Sequence, residues 1–185
     1  MKIFGIDPGL RNTGWGVIVL DGHNLQYRDD GIIKPDPKET DDRRLHHIDH
    51  ELNALMAEHQ PDLVCIEDIF VSKNPASALK LGMARGAALT AVARHNVPVA
   101  MIAARRVKQN ITGSGRADKD QVSAMVSRLL GVVPKGVDSA DALAIAISGM
   151  NEHHNAAPSS ANDGYAGNTG LASAIEKALQ KEKQS

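Results

Sequence analysis

Four carboxylates stand where the local sequence passes from apolar to polar. Asp7 closes the run Ile3-Phe4-Gly5-Ile6 and precedes Pro8-Gly9, Glu67 closes Leu63-Val64-Cys65-Ile66, and Asp138 and Asp141 lie three apart in Val137-Asp-Ser-Ala-Asp. Carboxylates brought together repel one another unless a cation sits among them, and an oxygen-only donor set selects hard ions such as Mg²⁺ or Mn²⁺. Ions held in that way hydrolyse phosphodiesters, so the expected chemistry is that of a metal-dependent nuclease. Taken singly, each acid has a structural alternative. Asp7 suits a turn before Pro-Gly, and Glu67 suits an ordinary strand end with Asp68 solvated beside it. Asp138 suits a helix N-cap, with Asp141 favoured by the helix dipole in the first turn. The combination of four favours the metal site.

Such a site needs elements that bring distant segments together. Residues 2–7 and 13–20 read as apolar, β-branched strands joined by a Pro-Gly turn, and 25–34 as a third strand of an N-terminal meander. From Asp41 to His59 the apolar residues Leu45, Ile48, Leu52, Leu55 and Met56 recur at three and four, the helical period. Leu63 to Ile66 is a short continuous apolar run, as in a buried central strand ended by Glu67. Residues 76–95 read as helix, 97–102 as a strand, and 120–130 and 139–150 as helices. Strands followed by alternating helix and strand give an α/β class with a mixed sheet. Ligands in such folds bind beyond the carboxyl ends of the strands, where Asp7 and Glu67 stand. Asp138 and Asp141, three apart at a helix start, share a face roughly 5–6 Å apart and can reach one ion together.

The chain has 185 residues, a length suited to one domain with a substantial core. Its single cysteine, Cys65, lies in an apolar run and permits neither an intrachain disulfide nor a thiolate metal cluster. No basic leader with an apolar core opens the chain, and no apolar run approaches the length that spans a bilayer, so a cytoplasmic protein without a membrane partner is expected. The formal net charge of -1 conceals an asymmetry: residues 73–135 carry eleven Lys and Arg against only Asp118 and Asp120, while the flanking segments are acidic. A basic block inside an otherwise acidic chain is what a phosphate-backbone binder needs. A solvated mixed surface is the alternative.

Several motifs in order carry a resemblance. Gly5-Ile-Asp-Pro-Gly-Leu-Arg-Asn-Thr-Gly14, Ile66-Glu-Asp-Ile-Phe-Val-Ser-Lys-Asn74, Ser77-Ala-Leu-Lys-Leu-Gly82, Ala84-Arg-Gly86, Val107-Lys-Gln109 and Asp138-Ser-Ala-Asp-Ala-Leu-Ala-Ile-Ala146 closely resemble RuvC, the bacterial Holliday junction resolvase family, over residues 1 to about 150. The resemblance implies a ribonuclease H-like fold, a mixed sheet flanked by helices. It also implies a homodimer that resolves four-way DNA junctions by paired symmetric nicks in recombination and repair, and an active site with Mg²⁺, two ions in each and Mn²⁺ able to substitute. The family's four acidic positions fall on Asp7, Glu67, Asp138 and Asp141, with Asp7 bridging ions roughly 4 Å apart. The in-line attack implied leaves 5′-phosphate and 3′-hydroxyl ends. Lys108 and Lys119 match lysines that the family uses near the DNA backbone and the active site, and Lys119 follows the loop Gly113-Ser-Gly-Arg116. Lys73, Lys80, Arg85 and Arg116 are further candidates for DNA contact, each with a solvated surface as its alternative. Phe70, three residues after Glu67, is expected to wedge against or stack on an unpaired base at the crossover, with core packing as its alternative. Trp15 reads as packing.

Small residues Gly82, Gly86, Ala87 and Ala91 suit helix 76–95 to a dimer contact or to close packing within one subunit. His46, His47 and His50, and likewise His153 and His154, read as surface. The nuclease domain is expected to span 1–153, and the turn-rich tail 154–185 to be disordered, with a short helix possible at 171–183. The RuvA–RuvB branch-migration complex is the partner that the resemblance implies. Three other readings compete: a junction-binding module without catalysis, an RNA-processing nuclease of the same fold, and an actin-like phosphotransferase, for which the chain is short.

Overall fold

The computed structural model describes residues 1–22, 24–68 and 74–155, with side chains as far as 150. Met1–Asn155 form one compact unit. The expected meander is β1 (Lys2–Asp7), β2 (Thr13–Asp21) and β3 (Asn24–Ile33), followed by α1 (Asp41–His59), β4 (Leu63–Asp68), α2 (Pro75–Ala93), β5 (Val99–Ala103), α3 (Ala104–Thr112), α4 (Lys119–Leu130) and α5 (Val137–Asn155). The sheet runs in the order β3-β2-β1-β4-β5. β1 pairs antiparallel with β2 and parallel with β4, and β4 pairs parallel with β5, so the sheet is mixed. This is the ribonuclease H-like class that the resemblance implies.

Alternation along the strands supplies both faces of the sheet. Phe4, Ile6, Trp15, Val17, Val64 and Ile66 point to one side, where Ile48, Leu52 and Met56 of α1 and Ala84, Ala88, Ala91 and Val92 of α2 cover them. Ile3, Ile18, Leu63, Cys65 and Ile102 point to the other, under α3, α4 and α5. Trp15 is packing, as expected: its ring stacks on Phe4 with centroids 5.9 Å apart.

Helix α5 lies across β1 and β2 with almost nothing between the backbones. A Cβ on Gly5 would strike the Ala142 carbonyl, and one on Gly14 the Asp138 carbonyl. One on Gly16 would come within 2.6 Å of Leu143 Cγ. The glycines around Asp7 therefore permit a close helix approach, and that approach carries Asp138 and Asp141 over the end of β1.

Three local readings need correction. Helix α3 has no counterpart in the pattern read from the sequence, because only Val107 and Ile111 of its nine residues are buried and the apolar period is too brief to register. β4 runs one residue past Glu67 to Asp68. Asp138 is not an N-cap: it is the second residue of α5.

Candidate active site

Asp7 ends β1, and Glu67 lies one residue before the end of the neighbouring parallel strand β4, so the two carboxylates emerge at the same edge of the sheet. Asp141 comes down from the first turns of α5 and Lys119 stands at the start of α4. Asp7, Glu67, Asp141, Lys108 and Lys119 line one cavity of about 380 Å³, walled by Leu81, Ala104, Val107, Val122 and Ile145. Asp138 lines the adjoining hollow of about 620 Å³ with Asn12, Arg11 and Lys80, and Leu81 belongs to both.

The electrostatics are those of charges held against their preference. Burial, then the neighbouring charges of Glu67 and Asp141, push the Asp7 carboxyl up from 3.8 to about 7, against the opposing pull of Lys119. Glu67 is raised as well, by burial first and by Asp141 second, with Lys119 and Lys108 pulling the other way. Lys119 donates to Asp141 Oδ2 at 2.7 Å, and that hydrogen bond holds its ammonium above the ordinary lysine value. Asn12 donates its amide to Asp138 Oδ2 at 2.9 Å.

Among the described residues no three of the His, Cys, Asp and Glu side chains converge closely enough to grip one ion as they stand. The donor set nevertheless fits a hard divalent cation. It is all carboxylate oxygen, and Asp7, pushed to about 7 by burial and then by its acidic neighbours, lacks the counter-charge that a cation supplies. The ammonium of Lys119 takes part of that place against Asp141.

The basic residues read from the sequence divide. Lys108 and Lys119 face the cavity. Lys80 sits 3.7 Å from Asp41, and Arg85 pairs at 3.1 Å with Asp68, which is therefore exposed but not merely solvated. Arg116 lies apart from the carboxylates, in a hollow with Thr112, Ser114 and Arg128. The loop expected before Lys119 is short: Gly113 closes α3 in the left-handed region at φ 77°, and Asp118 opens α4 with a capping box to Gln121. Phe70 and Lys73 lie outside the described residues, as do the side chains of His153 and His154 and the whole of 156–185 with the expected helix at 171–183. His46, His47 and His50 are exposed on α1.

Two residues that hold the site escaped the sequence reading. Asn12 falls within the motif Gly5–Gly14, but no local pattern assigned its side chain a partner. Arg44 is 9 % exposed and donates to the Leu10 carbonyl at 2.9 Å, fixing the turn that carries Asn12. Its position four before Ile48 puts it on the buried stripe Ile48, Leu52, Met56, a spacing that marked it as buried.

Comparison with known proteins places the chain by family and fold. The family model described as crossover junction endodeoxyribonuclease RuvC matches residues 3–149. The chain is 46% identical over 155 residues to a crossover junction endodeoxyribonuclease RuvC of Paramagnetospirillum magneticum, covering 83% of this chain and 92% of the relative. It is 49% identical over 152 residues to one of Oleidesulfovibrio alaskensis, covering 82% and 91%. Its structure matches that of T. thermophilus RuvC in complex with Holliday junction substrate at a TM-score of 0.79 and 32% identity, over 84% of this chain and 96% of that one.

Proposed function

Because this chain belongs to the RuvC family of crossover junction endodeoxyribonucleases, we propose that Asp7, Glu67, Asp138 and Asp141 are the carboxylates with which it cuts four-way DNA junctions. The chain is a metal-dependent endodeoxyribonuclease that resolves Holliday junctions. The observation that carries the site assignment is Asp7, buried beside Glu67 and Asp141 in a cleft that also presents Lys108 and Lys119, and pushed up to about 7 by that burial first and by those carboxylates second.

The four carboxylates would hold Mg²⁺, with Mn²⁺ as a substitute and two ions in each site. Ions bound there supply charge neutralisation and Lewis acidity at the scissile phosphate. Asp7, which shares its cavity with Glu67 and with Asp141 of α5, would be a ligand common to both ions. Lys119, whose ammonium pairs with Asp141 at 2.7 Å, would donate to a phosphate oxygen and so stabilise charge that develops during cleavage. Lys108, across the cavity, binds the strand near the cut. Lys80, Arg85 and Arg116 contact the backbone further out, and Lys73 and Phe70 act from the segment between β4 and α2.

The dimer would form through the outer face of α2, where the space beyond Gly82 and Gly86 is open and Leu79 is 66% exposed. Ala91 is buried in the subunit's own core, and Ala87 packs against it, so the two alanines serve intramolecular packing rather than the contact expected of them. Twofold pairing places two sites on a junction that is itself near twofold, which gives symmetric nicks, and in-line attack that expels the 3′ oxygen at each would leave 5′-phosphate and 3′-hydroxyl ends. The RuvA–RuvB complex is the partner proposed for the assembled enzyme.

The test compares a labelled mobile four-way junction with matched linear duplex, with Mg²⁺ and with chelator, for the parent chain and Asp7→Asn. Symmetric nicks on the junction alone, lost in chelator and in the variant, are expected. Junction binding without nicks under any metal would remove the catalytic reading, and preferential cutting of RNA would replace the substrate.

A further inference from the structure

Asp30 on β3 is 1% exposed, a buried carboxylate that the cutting chemistry does not use. Its two oxygens accept from separate places: Oδ1 from the Tyr27 hydroxyl at 2.7 Å, and Oδ2 from the backbone N–H of Lys135 at 2.8 Å, a residue 105 positions away in sequence. Asp29, beside it, accepts from Lys135 Nζ at 2.6 Å and from the Asp30 amide at 2.8 Å. Lys135 is therefore gripped by both its main chain and its side chain. Gly136 then packs so closely on β3 that a Cβ would come within 2.6 Å of Ile32 Cδ1. The Ser139 hydroxyl closes on both the N–H and the carbonyl of Gly136 at 3.0 Å, and Ala140 N–H donates to the same carbonyl at 3.0 Å. Here α5 begins.

A carboxylate is an expensive way to fill a core, and apolar residues of like volume do as well or better where only stability is needed. What directed hydrogen bonds add is position. Gly5, Gly14 and Gly16 set how near α5 comes to the sheet, whereas the bonds to Asp30 set where along the sheet it starts. A one-residue slip of a helix moves each side chain about 1.5 Å along the axis and turns it by roughly 100°. A metal site needs its ligands within about 0.5 Å of working geometry.

We propose that Asp30 is a positioning residue of the cutting site: by anchoring Lys135 it fixes the start of α5 on β3, and so the placement of Asp138 and Asp141 opposite Asp7. The proposal rests on the carboxylate site described above, and its test separates the two. In Asp30→Asn the side-chain oxygen still accepts from Lys135 N–H, and the amide donates to the Tyr27 hydroxyl, which turns to accept. In Asp30→Ala both bonds are lost.

Mn²⁺ affinity is measured by calorimetry on the DNA-free protein, and kcat on saturating junction. Asp30→Ala is expected to weaken Mn²⁺ binding about tenfold and to lower kcat by a similar factor, with metal-free junction affinity within about twofold of the parent, and Asp30→Asn to restore both. Asp30→Ala with reduced thermal stability but unchanged Mn²⁺ affinity and kcat would overturn the proposal. If Asp30→Ala does not fold, Tyr27→Phe, which removes one of the two bonds, decides: a fall of about twofold or more in Mn²⁺ affinity is expected, and no change would overturn it. Asp7→Asn is run alongside. Retention of Mn²⁺ binding there removes the carboxylate reading itself, whereas its loss together with a normal Asp30→Ala removes the positioning role alone.

Discussion

The chain contains two acidic clusters that meet opposite fates. At the ends of β1 and β4, Asp7 and Glu67 are raised by burial and by their acidic neighbours, and among the described residues of the cavity Lys119 and Lys108 are the cations that oppose them. On β3, Asp29 and Asp30 stand adjacent, yet the protein answers them with its own donors. Burial pushes Asp29 up, but the Lys135 ammonium and the Asp30 amide outweigh it and hold its carboxyl below the ordinary value. Carboxylates whose lone pairs the fold satisfies are structural; carboxylates crowded without enough internal donors are the ones proposed to take an external cation. The difference lies in the partners, since both clusters occupy sheet strands and both meet the same helix or its approach.

The contrast can be broken most severely at its acidic centre. Asp7→Asn is expected to abolish junction cleavage, by at least about a thousandfold, while leaving the metal-free fold intact or more stable at pH 8, as measured by single-turnover cleavage and thermal melts. A variant that still cuts at near-parent rates would disprove the assignment.

Removing the cation that the site already contains comes next. Lys119→Met should lower kcat by roughly ten- to a hundredfold with a smaller change in junction affinity, since the lysine faces the cavity rather than the outer backbone track.

Titration sharpens the comparison. The native carboxyl of Asp7 is raised above its unfolded value of 3.8, so its protonated form is favoured by folding, and the stability it confers is fully present below about pH 4 and lost as pH rises through about 7. Metal-free protein should therefore lose on the order of 4 kcal/mol across that interval relative to Asp7→Asn, measured by denaturant melts in chelator. Saturating Mg²⁺ should restore it at pH 8.

The smallest effect lies in the satisfied cluster and has the opposite sign. Asp29 is lowered, so its contribution is present above its unfolded value and disappears as pH falls through its native one. Asp29→Asn should cost no more than about 1 kcal/mol near neutrality, because the pair with Lys135 is partly solvated, and nothing in strong acid. A neutral-pH loss that exceeded the Asp7 effect would reverse the ranking of the two clusters.

Much of this was legible in the residues themselves. Apolar, β-branched runs around a Pro-Gly turn placed β1 and β2, the three-and-four period placed α1 over its full extent, and the motifs around Asp7, Glu67, Asp138 and Asp141 marked the candidate site, because those signals act within windows of a few residues. α3 was not legible: nine residues with two buried positions carry too little period. Arg44 announced its burial by spacing but not its partner, the Leu10 carbonyl, which lies on another element.

Residue type and local period were enough to determine that four acids end up on strand ends and a helix start, and that the middle of the chain is basic. Only the tertiary structure decided that Asp141 shares a cavity with Asp7 and Glu67 while Asp138 faces the hollow beside it. The same is true of the glycines of β1 and β2, which serve the approach of α5, and of Asp30, which holds Lys135. Each of those facts is a pairing between segments many residues apart. Its energy comes from close packing and directed hydrogen bonds that exist only when the chain has closed on itself.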